Sequence, residues 1–146
     1  MLKSFLFVLS VTFVSTFAIA QKQLTWEDFA DVNFEPEYNA TYDMHFLMPT
    51  FGKKIMAYKG KQVSIKGFFL DISGSGEVFL LSQNPMASCF FCGAAGPETI
   101  IEVNFKEKPP FRTDQIVTVT GVLELNRDNV DHCNYILKVA TGQLVN

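Results

Sequence analysis

Two cysteines two residues apart, Cys89-Phe90-Phe91-Cys92, followed at once by Gly93, form the stretch of this chain with the most evident chemistry. Thiolates at that spacing can grip one ion while the glycine lets the chain turn, and zinc takes such ligands in fours. The third cysteine, Cys133, has His132 beside it, so the candidate metal set is Cys89, Cys92, Cys133 and His132. Three chemistries fit these residues. In a zinc centre the three thiolates would be joined by His132 or water. Adjacent strand residues point to opposite faces, so His132 and Cys133 can ligate together only where the chain bends. A disulfide, between Cys89 and Cys92 or from either to Cys133, would staple the loop and leave one thiol over. In the third reading Cys133 is a small apolar residue on the buried side of its strand.

Catalysis finds less support. A thioredoxin-like thiol-disulfide redox protein needs its C-x-x-C at the start of a helix, whose amino end lowers the thiol pKa; Gly93-Ala94-Ala95-Gly96-Pro97 is a poor helix start. G-x-S-x-G and H-E-x-x-H are absent, His45 and His132 are the only histidines, and Gly74-Ser75-Gly76 lacks the lysine of a phosphate loop. Glu98 and Glu102 read as solvated strand carboxylates. The chain therefore reads as a non-enzyme. Met44, His45 and Met48 are soft enough to ligate copper, but methionines filling gaps beneath a loop are the better reading.

The elements that must position the cysteines follow from periodicity. Val63, Ile65, Gly67 and Phe69 alternate with polar or outward residues, as do Ile101, Val103 and Phe105, then Val117, Val119, Gly121 and Leu123, then Tyr135, Leu137 and Val139. With Glu77 to Ser82 they make five strands. Gly67 and Gly121 sit inside alternating runs, where a missing side chain lets a strand bend or a neighbour come close. Five strands without intervening helices predict an all-β fold, a small five-stranded OB-like barrel over 61–146, with a sandwich as the lesser alternative. In OB order the third and fifth strands are parallel neighbours, which would bring His132 and Cys133 to the rim where the cysteine loop ends. Upstream, 21–60 reads as a short N-terminal helix and a wrapping segment. The helix is capped by Thr25 with Asp28 three residues on and runs to about Val32; the wrapping segment has one extended piece near Met44 to Met48. Trp26 and Phe29, three apart, share a face and read as packing residues.

Residues 1–20 have the form of a cleaved signal peptide: Lys3, an apolar run from Phe5 to Phe17, and the small-x-small end Ala18-x-Ala20. No second apolar span follows, so the expected location is periplasmic or secreted, with no membrane span after cleavage. From Gln21 onward 15 acidic residues face 11 basic ones, and no basic run exceeds Lys53-Lys54, which argues against nucleic acid as partner.

The order Trp26 with Phe29, Gly60-Lys61-x-Val63-x-Ile65-x-Gly67-Phe68, Phe79-Leu80-Leu81, Cys89, and Pro97-x-x-Ile100-Ile101-x-Val103 resembles an uncharacterised family of exported bacterial proteins with an OB-like domain of unknown function. In that family a Phe-Leu-Leu strand leads to a loop with a cysteine, a histidine and a proline run. Cys89 matches the cysteine and Pro97 the end of the prolines, whereas Phe91 stands at the histidine position and Gly93 to Gly96 replace most prolines. The resemblance implies an accessory role beside membrane transport systems, with an envelope or transporter protein as partner. The expectation is an exported binding or accessory protein whose cysteine loop takes zinc. The alternative is a disulfide-stapled interaction module without metal.

Overall fold

The computed structural model describes residues 22–74, 78–93 and 95–145. The signal peptide expected over 1–20 lies outside them, as does Glu77 at the expected start of the second barrel strand. Among the described residues no helix is long and apolar enough to cross a membrane.

Strand β1 (Lys22–Gln23) is followed by helix α1 (Trp26–Phe29), strands β2 (Val32–Asn39) and β3 (Met44–Phe51), and helix α2 (Lys53–Met56). Then come the barrel strands β4 (Gln62–Asp71), β5 (Phe79–Ser82), β6 (Ile100–Phe105), β7 (Ile116–Leu125) and β8 (Tyr135–Leu144). They pair in the order β4-β5-β6-β8-β7, and β7 returns to β4 to close the sheet. The β6–β8 pair is parallel, Glu102 opposite Ile136 and Val103 opposite Leu137; the others are antiparallel. This is the expected OB-like barrel, and the alternation that predicted it is the burial pattern: Val63, Ile65, Phe69, Ile101, Val103, Val117, Val119, Leu123, Tyr135 and Leu137 all point inward.

Two glycines let neighbouring groups close up. A Cβ on Gly67 would lie 2.7 Å from the Ser82 carbonyl oxygen and 2.9 Å from Trp26 Cζ2, and one on Gly121 would lie 3.0 Å from the Lys138 carbonyl oxygen. Opposite Gly121, β8 carries an extra residue: Val122 pairs with Lys138 but Thr120 with Thr141. At this bulge Val139 has φ +52° and is 59% exposed, and Ala140 takes the inward place. The expected inward side for Val139 is thus corrected, because a bulge shifts the two-residue period by one.

Helix α1 is shorter than expected, ending at Phe29, since Val32 already begins β2. Its capping is as read: the Thr25 main-chain N–H donates to the Asp28 carboxylate at 2.8 Å and the Thr25 hydroxyl at 3.2 Å. Phe29 plugs the rim where β6 and β8 begin, its ring 5.0 Å from that of Tyr135, whose hydroxyl donates to the Phe29 carbonyl at 2.8 Å. Trp26 lies 5.8 Å from Phe29 and donates its indole N–H to the Lys66 carbonyl. At the other rim Phe69, Phe79, Phe105 and Phe111 pack against one another.

The wrapping segment is largely a β-hairpin, a correction to the single short piece expected near Met44 to Met48. β2 and β3 pair along their whole length, Val32 opposite Phe51 to Asn39 opposite Met44. Pro36 and Pro49 read as breakers in sequence, but both strands of a two-stranded ribbon are edges, and edges accept proline.

Candidate functional site: a groove beside the cysteine loop

β4, β5 and β6 carry apolar residues on both faces. Phe69, Leu81 and Ile101 enter the barrel, while Leu70, Leu80 and Ile100 point outward and are nevertheless buried. What covers them is the cysteine loop. Three short 3-10 turns, Met86–Ser88, Phe90–Cys92 and Pro97–Thr99, fold it over the outer face, anchored where the Met86 N–H donates to Asp114 Oδ1 at 2.7 Å. Gly93 makes the expected turn with φ +72°. Cys89, with no exposed surface, sits in the middle of this second core among Leu70, Leu80 and Ile100, and Cys133 packs against the same cluster. The parallel β6–β8 pairing thus brings Cys133 to the cysteine loop.

Cys89 and Cys133 are free thiols, so neither is in a disulfide. Burial, followed by the nearby Glu102 carboxylate, pushes the Cys133 thiol up to about 12. Of Cys92 the backbone is described; its side chain lies outside the described part. Among the described residues no three His, Cys, Asp or Glu side chains lie close enough together to hold an ion.

The residue sequence reasoning missed is Glu102. It stands two residues after Ile100 on the outer face of β6, its side chain only 13% exposed, and is not the solvated carboxylate expected. Both its oxygens lie 3.0 Å from His132 Nδ1, and it accepts the Cys133 N–H at 3.3 Å. The signal was its place beside outward apolar Ile100 and Leu80, where an acid must be paired to be covered.

Above this pair runs a groove of about 390 Å³, lined by His45, Phe46, Leu47 and Met48 of β3, Phe90 and Phe91 of the cysteine loop, and Arg127, Val130, His132 and Cys133 before β8. Phe91 is 57% exposed and Leu47 49%. The hairpin is latched over the loop that leads to β8 by Arg127 with Glu37 and by the Tyr42 hydroxyl with Asp131. Arg127 also pairs with Asp128. Arg127, the one Lys or Arg in the lining, is therefore engaged already, and the groove's open surface is mainly apolar. No protein-family model matches the chain, and a search of curated proteins gives no match.

Proposed function

We propose that the protein is an exported, non-catalytic binding module that docks an envelope protein in the groove beside the cysteine loop. The carrying observation is that apolar walls from Phe46, Leu47, Met48, Phe90 and Phe91 stand open while Arg127 and His132 are each paired within the protein. A small charged ligand would have to displace the Arg127 ion pair or the His132–Glu102 hydrogen bond. An apolar protein segment would not, and exposed apolar surface rimmed by polar groups marks interaction sites. Export is supported by Lys3, the apolar run and Ala18-x-Ala20. A role beside a transport system is supported by the resemblance of the Phe79-Leu80-Leu81, Cys89 and Pro97 pattern to exported accessory proteins.

A photo-crosslinking residue placed at Phe91 tests this in the cells that make the protein, with exposed Val122 on β7 as control. One discrete adduct from position 91 and none from 122 is expected. No adduct, or the same adducts from both, would overturn the reading.

Zinc is the second reading, favoured by one observation: Glu102 takes His132 Nδ1 and leaves the other ring nitrogen for a metal, as carboxylates that orient a metal-bound histidine do. Cys133 and Cys92 would complete the set, and Cys133 would have to lose its proton on binding. One zinc per purified chain, lost in both His132→Ala and Cys133→Ser, would move the assignment to a metal centre.

A further inference from the structure

Four consecutive residues of β3, His45 to Met48, line the groove. Side chains of a strand alternate between faces, so a groove touched by all four runs along the strand's edge. The edge has a definite hydrogen-bonding state. The Gly52 N–H donates to the Asp31 carbonyl at 2.8 Å, and the Val32 N–H turns away to the Ala30 carbonyl. That sets the parity of the ribbon: Asn33 with Thr50, Glu35 with Met48 and Glu37 with Phe46 exchange main-chain bonds. The pairs through proline, Phe34 with Pro49 and Pro36 with Leu47, and the pair Tyr38 with His45 do not. The N–H and C=O of His45 and Leu47 accordingly point out of the ribbon on the groove side, and among the described residues no other element bonds to them. Each edge carries one proline at an outward position, Pro36 on β2 and Pro49 on β3, where no N–H is on offer. On the groove side the open stretch is therefore His45 to Leu47, bounded by Pro49, and proteins commonly close such edges against strand pairing.

Charge says what the open edge would accept. The hairpin, 32–51, holds Glu35, Glu37 and Asp43 with no Lys or Arg; the segment before β8, 126–134, holds Asp128 and Asp131 against Arg127; the cysteine loop, 83–97, holds no charged residue. These three walls carry a net charge of −4, whereas the rest of the chain from Gln21 balances ten acids with ten bases. These acids stand at the rim and not in the lining, where Arg127 is the one charged residue besides the histidines: Glu37 and Asp128 border the groove through Arg127, and Asp131 adjoins His132.

We infer that the groove binds an extended, basic segment of a partner protein by strand addition to β3. The partner main chain would bond to His45 and Leu47, alternate apolar side chains would enter between Phe46, Met48, Phe90 and Phe91, and its lysines or arginines would face the acidic rim. The inference rests on the protein-docking reading of the groove and specifies its occupant.

Two capped heptapeptides are the probes, Lys-Val-Lys-Val-Lys-Val-Lys and its Glu-Val-Glu-Val-Glu-Val-Glu counterpart, read by amide NMR and hydrogen exchange of the isotope-labelled protein. The basic peptide is expected to slow exchange at His45 and Leu47 at least tenfold and to bind at least tenfold more tightly than the acidic one. Because a strand offers one edge at a time, N-methylation of its valines or of its lysines must abolish binding in one case and spare it in the other. Unchanged amides at 45 and 47, equal binding of the acidic peptide, or equal binding of both methylated peptides would overturn strand addition. So would protection of the same amides by dimerisation without peptide, which assigns the edge to a second copy. If strand addition fails but Phe91 still crosslinks one partner, protein docking stands with a different occupant; if both fail, both readings fall.

Discussion

Glu102 grips His132 through both carboxylate oxygens at 3.0 Å, joining the outer face of β6 to the segment that enters β8. A carboxylate only accepts, so the proton of the neutral imidazole belongs on Nδ1 and the other nitrogen is the acceptor. In Glu102→Gln that constraint is lost. Nitrogen shifts of His132 should show an Nδ1–H tautomer in the parent and a mixture in the variant. The variant should also be less stable by about 1 kcal/mol, below the usual value for hydrogen bonds to a charged group because His132 is half-exposed.

Thiol reactivity should divide the native from the unfolded protein. With Cys133 pushed up to about 12 from an ordinary 9.0, its thiolate fraction at pH 8 is about a thousandfold below that of a free thiol. Cys89 has no exposed surface. Iodoacetamide at pH 8 should leave both unmodified in the folded protein and alkylate both in denaturant, counted by mass spectrometry of the peptides. Rapid native labelling of Cys133 would contradict its buried, protonated state.

Alkali should destabilise the protein through two buried groups. The Cys133 thiol is raised mainly by burial, as is the Tyr135 hydroxyl, to which Glu98 and Asp31 add. Both groups stay protonated in the native state after the unfolded chain has released its protons, so stability is intact below pH 9. It should fall above pH 9 as unfolded Cys133 ionises, and more steeply above pH 10 when unfolded Tyr135 follows, by on the order of 1 kcal/mol per pH unit for each group. Urea midpoints at pH 8, 9.5 and 10.5 measure it, and Cys133→Ala should remove the earlier part of the loss.

Gly67→Ala should cost about 2 to 3 kcal/mol, the upper range for overpacking, because its new methyl meets main chain at Ser82 as well as the Trp26 ring. As Trp26 is the only tryptophan, a change in its fluorescence should accompany the loss.

The barrel was legible because its rule is short-ranged: alternation in 63–69 and 117–123 needs nothing beyond the sequence to say which side is buried. The meeting of Cys133 with the cysteine loop was legible once OB order was assumed, since parallel neighbours begin at one rim. Three things were not. The hairpin was hidden by Pro36 and Pro49, which break a central strand but not a free ribbon. Glu102 was hidden because its burial depends on His132, thirty residues away. Val139 was hidden because its bulge answers Gly121 across the sheet.

That bulge gives a further prediction. A β-branched residue at φ +52° carries about 1 to 2 kcal/mol of backbone strain, partly offset on substitution by glycine's larger unfolded entropy. Val139→Gly should therefore raise the urea midpoint slightly, and Val139→Ile should not.

The β8 strand is hydrogen-bonded to β6 on one side and β7 on the other, so the ring of strands has no closed form until the ten residues from Tyr135 to Leu144 are available. The order of assembly is therefore constrained. As the chain is synthesised from its amino end, β4, β5, β6 and β7 can associate only as an open sheet, and sealing depends on contacts far apart in sequence, which form slowly. A nascent chain of this topology cannot seal its barrel until its last strand emerges.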